Sequence, residues 1–255
     1  MTLAKHINAE FDAELQSLKE QILAMGGLVD AQVTQAVDAL VARDAERARR
    51  VIEADRAVNL MELAIDERCI RMLALRQPAA SDLRFIAAAL KMVTDLERIG
   101  DLAVNMAERV DALLEEPPLR AVQELPGMAA AAQNMLHAVL EAFVAGDAVR
   151  AEAVISADAT IDAWMARLFA EVQATMSRDP GAVARGLATI FFAKHIERMA
   201  DHTTNVGEMV IYFLRGQDVR HGASARSAPD ARPAGPANPM HGTETALESR
   251  HDGGQ

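Results

Sequence analysis

The chain has 255 residues, enough for one large domain or two modest ones, and carries a formal charge of −11 from 37 acidic and 26 basic residues. That balance excludes nonspecific attraction to nucleic acid or anionic lipid and favours cations and basic protein surfaces as partners. The lone cysteine, Cys69, excludes an internal disulfide, and its place in an apolar stripe predicts packing rather than chemistry.

Apolar residues make up 51% of the chain and aromatics only 4%, so Ala, Val, Leu, Ile and Met carry the core, a palette that suits long amphipathic helices. No window approaches the roughly 18 uninterrupted apolar residues of a membrane span. The opening Met-Thr-Leu-Ala-Lys-His-Ile-Asn lacks an apolar signal segment, and a cytoplasmic location is expected.

Punctuation along the chain predicts six helices. Asp44 caps the start of the second. The break at Gln77-Pro78, followed by Ser81 or Asp82, opens the third. The widest break, Glu115 to Gly127, holds Pro117, Pro118 and Pro126 and marks a boundary between halves. Asp147 caps the fifth helix, and Asp179-Pro180 pairs an N-cap with a first-turn proline before the sixth. Helices of roughly 20 to 35 residues, or about 30 to 50 Å, suit a bundle. The expected organisation is all-α: a first three-helix bundle over 1–116, a linker over 117–125, a second three-helix bundle over 126–216, and a tail over 217–255. The tail holds four of the nine prolines and is predicted to be disordered. It carries five acidic and four basic residues, so the body keeps 32 against 22 and the acidity belongs to the folded part.

The halves are related in sequence. Residues 39–45, Ala-Leu-Val-Ala-Arg-Asp-Ala, return as Ala-Phe-Val-Ala-Gly-Asp-Ala at 142–148, an offset of 103. Val51-Ile52 and Ala54-Asp55 recur at the same offset as Val154-Ile155 and Ala157-Asp158. Asp95-Leu-Glu-Arg-Ile-Gly-Asp101 with Asn105 returns as His195-Ile-Glu-Arg-Met-Ala-Asp201 with Asn205, at an offset of 100. Duplication preserves core positions, yet the sharpest identities here are polar, which asks for a chemical reason.

Glu97, Asp101 and Asn105 are spaced i, i+4, i+8, so they drift only about 40° per step and form one stripe of oxygen donors. Glu197, Asp201 and Asn205 repeat the stripe. Like charges four residues apart weaken a bare helix by a few tenths of a kcal/mol, so the stripe needs a compensating cation, to which Arg98 and Arg198 contribute. On the preceding helices, Asp55 and Asn59 match Asp158 and Asp162, again at i, i+4. Antiparallel packing of neighbouring helices brings each pair onto its stripe. A centre of four to six oxygens with no thiolate suits iron, manganese, magnesium or calcium more than copper, and zinc also accepts carboxylate oxygen.

The competing reading is a set of salt bridges at a bundle interface, because a single Glu-x-x-x-Asp on a helix is usually solvated surface. Glu62 and Asp66 share the spacing without a counterpart in the second half and are read as surface. His195 and His202 share a face roughly 100° or more from Glu197 and are read as packed or hydrogen-bonded. His221, His241 and His251 lie in the tail and are read as binding nothing specific. Trp164, Phe191 and Phe192 are read as core. The chain has no Gly-rich phosphate loop, nucleophile elbow, Cys-x-x-Cys or His-Glu-x-x-His.

Arg76-Gln-Pro-Ala-Ala-Ser-Asp-Leu-Arg84, Asp95-Leu-Glu-Arg-Ile-Gly-Asp101, Val51-Ile-Glu-Ala-Asp55 and Ile196-Glu-Arg-Met-Ala-Asp201 together resemble the characteristic segments of the PhoU phosphate-uptake regulators, over about Met1 to Asp218. The resemblance implies two three-helix bundles, homodimerisation, and multinuclear metal clusters on the Glu/Asp-x-x-x-Asp motifs. It also implies negative regulation: restraint of a membrane-bound sensor histidine kinase and of the phosphate ABC transporter, through its ATPase, when phosphate is ample. Asn59 stands where the second half has Asp162, which predicts a first centre with fewer ions or a weaker hold. The alternative is a carboxylate-bridged dinuclear metal enzyme on a helical bundle. Such bundles supply Glu-x-x-His from two helices, and the helical body here has none. A third possibility is a purely structural scaffold.

Overall fold

A computed structural model describes residues 2–114, 117–217 and 219. The tail beyond these, with its three histidines, lies outside the described residues. Six α-helices follow in order: α1 (Thr2–Ala42), α2 (Ala45–Arg76), α3 (Ala80–Leu114), α4 (Leu125–Ala145), α5 (Ala148–Arg178) and α6 (Val183–Arg215). Short 3-10 turns at Arg120–Glu124 and Pro180–Ala182 lead into α4 and α6. No strand occurs among the described residues.

The α1–α2 and α4–α5 turns are built alike. Asp44 accepts a hydrogen bond from the Arg47 backbone N–H, and Asp147 from that of Arg150, each at 3.0 Å, satisfying one donor of the helix start. The residue before each cap is left-handed, with φ of 55° at Arg43 and 65° at Gly146. Glycine meets that requirement freely, whereas arginine is strained there. The Arg43 guanidinium donates to the last carbonyls of α3, at Leu113 and Leu114, so the strained residue also caps a neighbouring helix. Asp179 caps the 3-10 turn before α6, accepting from the Gly181 N–H at 2.9 Å.

Core positions coincide at the repeat offset. Met25, Val29, Val33, Ala36 and Leu40 on α1 are buried, and so are Met128, Ala132, Leu136, Val139 and Phe143 on α4. Val51, Val58, Ile65 and Cys69 on α2 match Val154, Ile161, Leu168 and Val172 on α5. The most extensive packing joins α3 to α6, across the repeat boundary. These run antiparallel: the Phe85 and Phe213 rings meet at 5.7 Å, Asp95 meets His202, and Arg109 lies 5.6 Å from the Phe191 ring. Phe143 joins Phe85 and Phe213 at 5.8 Å from each, and Gln133 and His137 on α4 bond to Asp30 on α1. The two repeats therefore share one core. Phe192 points inward, but Phe191 is 50% exposed and sits beneath Arg109, which corrects its reading as core.

Candidate metal centres

The inner faces of α2 and α3 carry the first carboxylate cluster and those of α5 and α6 the second. Asp55 and Asn59 lie half-buried on α2, where the Asn59 amide donates to Asp55 Oδ2 at 2.8 Å. Facing them on α3, burial raises the Glu97 pKa, and Asp101 raises it further; Glu62 and Asp55 add smaller repulsions and only Arg98 opposes. Arg98 reaches Glu97 Oε2 at 3.6 Å and Asp101 Oδ2 at 3.4 Å. Both contacts are long and the guanidinium is largely exposed, so they offset little of the charge.

Glu62 and Asp66 are half-buried rather than surface, which corrects their sequence reading. Desolvation raises both carboxyls, and the charges of Asp66 and Asp101 add to the rise at Glu62. Their spacing holds the clue: Asp55, Asn59, Glu62 and Asp66 step by four, three and four, the period of one inward helix stripe. A further residue joins from α1. Gln32 is only 5% exposed, and neither its amide nitrogen nor its oxygen has a hydrogen-bond partner.

In the second cluster, desolvation and then the charges of Asp201, Asp162 and Glu197 push Asp158 up to about 6, so these four carboxylates share one field. Desolvation also raises Asp201, with Glu197 as the next cause. The ion pair to Glu197 comes from Lys194. Arg198 instead lies near His195, whose pKa falls to about 4 through burial first and then the charges of Arg109 and Arg198. The stripes diverge at their ends. Asn205 turns across to α3 and donates to Asp95 Oδ1 at 3.0 Å, beside the 2.9 Å contact of His202 Nδ1 to the same oxygen. Asn105 is half-buried on α3, one turn beyond Asp101. His202 is thus hydrogen-bonded, whereas both ring nitrogens of His195 are buried without a partner.

Among the described residues, no three His, Cys, Asp or Glu side chains are already gathered around one point to hold a metal ion. The oxygens are adjacent rather than convergent. Several are nevertheless buried with no partner: Asp55 Oδ1, Asn59 Oδ1 and Gln32 Oε1 in the first cluster, Asp158 Oδ1 and Glu197 Oε2 in the second. An orphaned buried acceptor in an anionic cluster is costly, and a bound cation relieves both the desolvation and the repulsion. The donor set is oxygen alone and fits a hard cation.

A duplicated helical bundle with a carboxylate cluster between the second and third helices of each repeat defines the class of protein. A family model described as the PhoU domain matches residues 22–110 and again 125–210. The chain belongs to the PhoU family. It is 44% identical over 221 residues to the phosphate-specific transport system accessory protein PhoU homolog of Pseudomonas aeruginosa, covering 86% of this chain and 91% of that one. With the PhoU accessory protein of Escherichia coli K12 it shares 36% over 221 residues, 87% of this chain and 92% of the other. Among solved structures, PhoU from Pseudomonas aeruginosa superposes with a TM-score of 0.78 at 43% identity, covering 81% of this chain and all of that one. The phosphate transport system regulatory protein PhoU from Streptococcus pneumoniae gives 0.77 at 32%, covering 82% and 99%. Among the described residues no helix is long and apolar enough to cross a membrane.

Proposed function

We propose that this protein is a negative regulator of phosphate uptake and of the phosphate-starvation response, acting as an adaptor between the phosphate ABC transporter and a sensor histidine kinase. The observation that carries the reading is the match along nearly the whole length of accessory proteins of the phosphate-specific transport system, 44% identical over 86% of this chain. The adaptor role suits a bundle with two acidic clusters and no apolar membrane span among the described residues, which meets cytoplasmic faces of membrane proteins through helical surfaces. Dimerisation doubles the available surfaces and belongs to the same proposal.

In this reading each carboxylate cluster is a cation centre. Asp55, Asn59, Glu97 and Asp101 hold the first ion or ions, and Asp158, Asp162, Glu197 and Asp201 the second, while Asn105 and Asn205 lie one turn beyond. The orphaned oxygens support this assignment. A bound ion of the iron, manganese, magnesium or zinc class cross-links α2 to α3 and α5 to α6 and neutralises the inner face. The protein's own contribution is to hold the carboxylates in register and to supply Arg98 and Lys194 at the rims.

Deleting the gene and assaying alkaline phosphatase in phosphate-rich medium tests the regulatory role. Derepression is the expected result, and unchanged repression refutes it. Elemental analysis of untagged protein purified without chelator tests the cation centres; metal well below one ion per chain, with melting unaltered by chelation, refutes that part and leaves the regulatory role to the genetic test.

A further inference from the structure

The two clusters occupy equivalent places in the repeat, yet their surroundings differ at two positions. At the offset of 103, Glu62 matches Met165 and Gln32 matches Met135. The register is secure, because the buried residues flanking these positions coincide between α1 and α4 and between α2 and α5.

Gln32 is aimed into the first cluster. A β-carbon built on Gly100 of α3 would stand 3.2 Å from Gln32 Oε1 and 3.7 Å from Asp55 Oδ1, so both oxygens face the same glycine. The second repeat has Ala200 at that position, opposite the half that carries Met135. Glu62 lies half-buried on α2, two turns beyond Asp55 and so on the same face of the helix. A buried amide with both ends unpartnered is expensive to keep, and methionine of similar size would pack there without that cost.

We propose that Gln32 and Glu62 are additional oxygen donors of the first centre, making it the tighter of the two sites for a hard divalent cation of the manganese and magnesium class. The inference rests on reading the clusters as cation centres. Charge does not separate them: Asp66 lies a turn further along, lining a cavity with Thr94 and Asp95, and Asp55, Glu62, Glu97 and Asp101 give the first centre as many carboxylates as Asp158, Asp162, Glu197 and Asp201 give the second. The difference lies in neutral oxygens. Gln32 and Asn59 each add an amide oxygen, and the Asn59 oxygen is free because its nitrogen already bonds Asp55. Hard divalent cations take about six oxygen ligands, and the thioethers in register on the second side are soft donors of little use to them. Glu62 thus offsets the carboxylate missing at Asn59, reversing the order of strength that Asn59 alone predicts.

The test is a manganese titration of untagged, metal-free full-length protein, following the electron paramagnetic resonance signal of free aqueous Mn²⁺. Wild type should show a tighter and a weaker class of sites. Q32M and E62M install the residues of the second repeat, and E62Q is a milder alteration that keeps the shape. The double variant Q32M/E62M should weaken the tighter class by at least about tenfold, a change of 1.4 kcal/mol, and leave the weaker class unmoved. D162N/D201N should abolish the weaker class alone. Metal-free Q32M should melt above wild type, since it removes the unpartnered amide. Retention of the tighter class within about twofold in Q32M/E62M and E62Q, with manganese still bound, overturns the inference and spares the centres; so does a metal-free Q32M that melts below wild type. Failure of wild type to bind manganese overturns the cation reading together with this one.

Discussion

Asp158→Asn isolates the electrostatic cost of an empty carboxylate cluster. The Asp158 carboxyl titrates near 6 in the fold against 3.8 as its ordinary value, with burial the leading cause and Asp201, Asp162 and Glu197 adding to it. A raised acid stabilises the fold in its protonated form. Its contribution is fully present below the unfolded pKa and is lost as pH climbs through the folded one. At about 1.4 kcal/mol per pK unit, and allowing for the side chain's partial access to water, the metal-free protein loses about 2 kcal/mol from this group between roughly pH 4 and pH 7. Asparagine stays neutral and escapes the loss. Metal-free D158N should therefore match wild type near pH 4 and exceed it at neutral pH by about 2 kcal/mol, or about 4 to 8 °C in Tm for a body of this size. Thermal unfolding followed by circular dichroism across this range, with chelator present, reads it directly. Adding manganese should reverse the order, because only wild type keeps the full donor set. A metal-free D158N that melts below wild type at neutral pH, or that retains the wild-type decline with pH, would refute the argument that these four carboxylates share one field.

Three further outcomes follow from the packing. Phe143→Ala, at a ring that is 1% exposed and joins Phe85 to Phe213, should cost about 3 to 5 kcal/mol in urea unfolding, and the variant should still unfold in one transition because the repeats share a core. Asp44→Ala and Asp147→Ala should each cost about 1 kcal/mol, measured the same way, since each removes one matched cap. Cys69 is fully buried with its thiol pushed up to about 12, so an aromatic disulfide reagent should label it only at the rate of global opening; rapid labelling of the native protein would contradict its place in the core.

Six helices, the caps of α2 and α5 and the duplication were legible because each rests on local chemistry: Asp44 and Asp147 announce helix starts by the same side-chain bond, and apolar residues recur at helical spacing, whereas α3 starts at Ala80, ahead of Ser81 and Asp82, and Asp179 caps only the 3-10 turn before α6. Pairing of α3 with α6 was not legible, since nothing in either repeat alone names its partner across the boundary. Phe191 and Phe192 show the limit of composition. Adjacent residues on a helix point about 100° apart, so only Phe192 enters the core and Phe191 is left to Arg109.

The carboxylate stripes are what the two halves have in common, and likeness between halves conceals the positions at which they differ. Glu62 has no acidic counterpart, since Met165 stands there, yet its place in the four, three, four spacing with Asp55, Asn59 and Asp66 is itself the mark of an inward face. Gln32 gave no signal at all: one amide in a long helix is unremarkable until packing shows it buried, unpartnered and turned toward Asp55. After duplication, positions that serve the shared fold are held alike in both copies, and positions that distinguish one centre from the other must differ. Residues such as Gln32 and Glu62, polar and enclosed in one repeat and replaced by methionine in the other, are therefore where a division of labour between the two centres has to be sought.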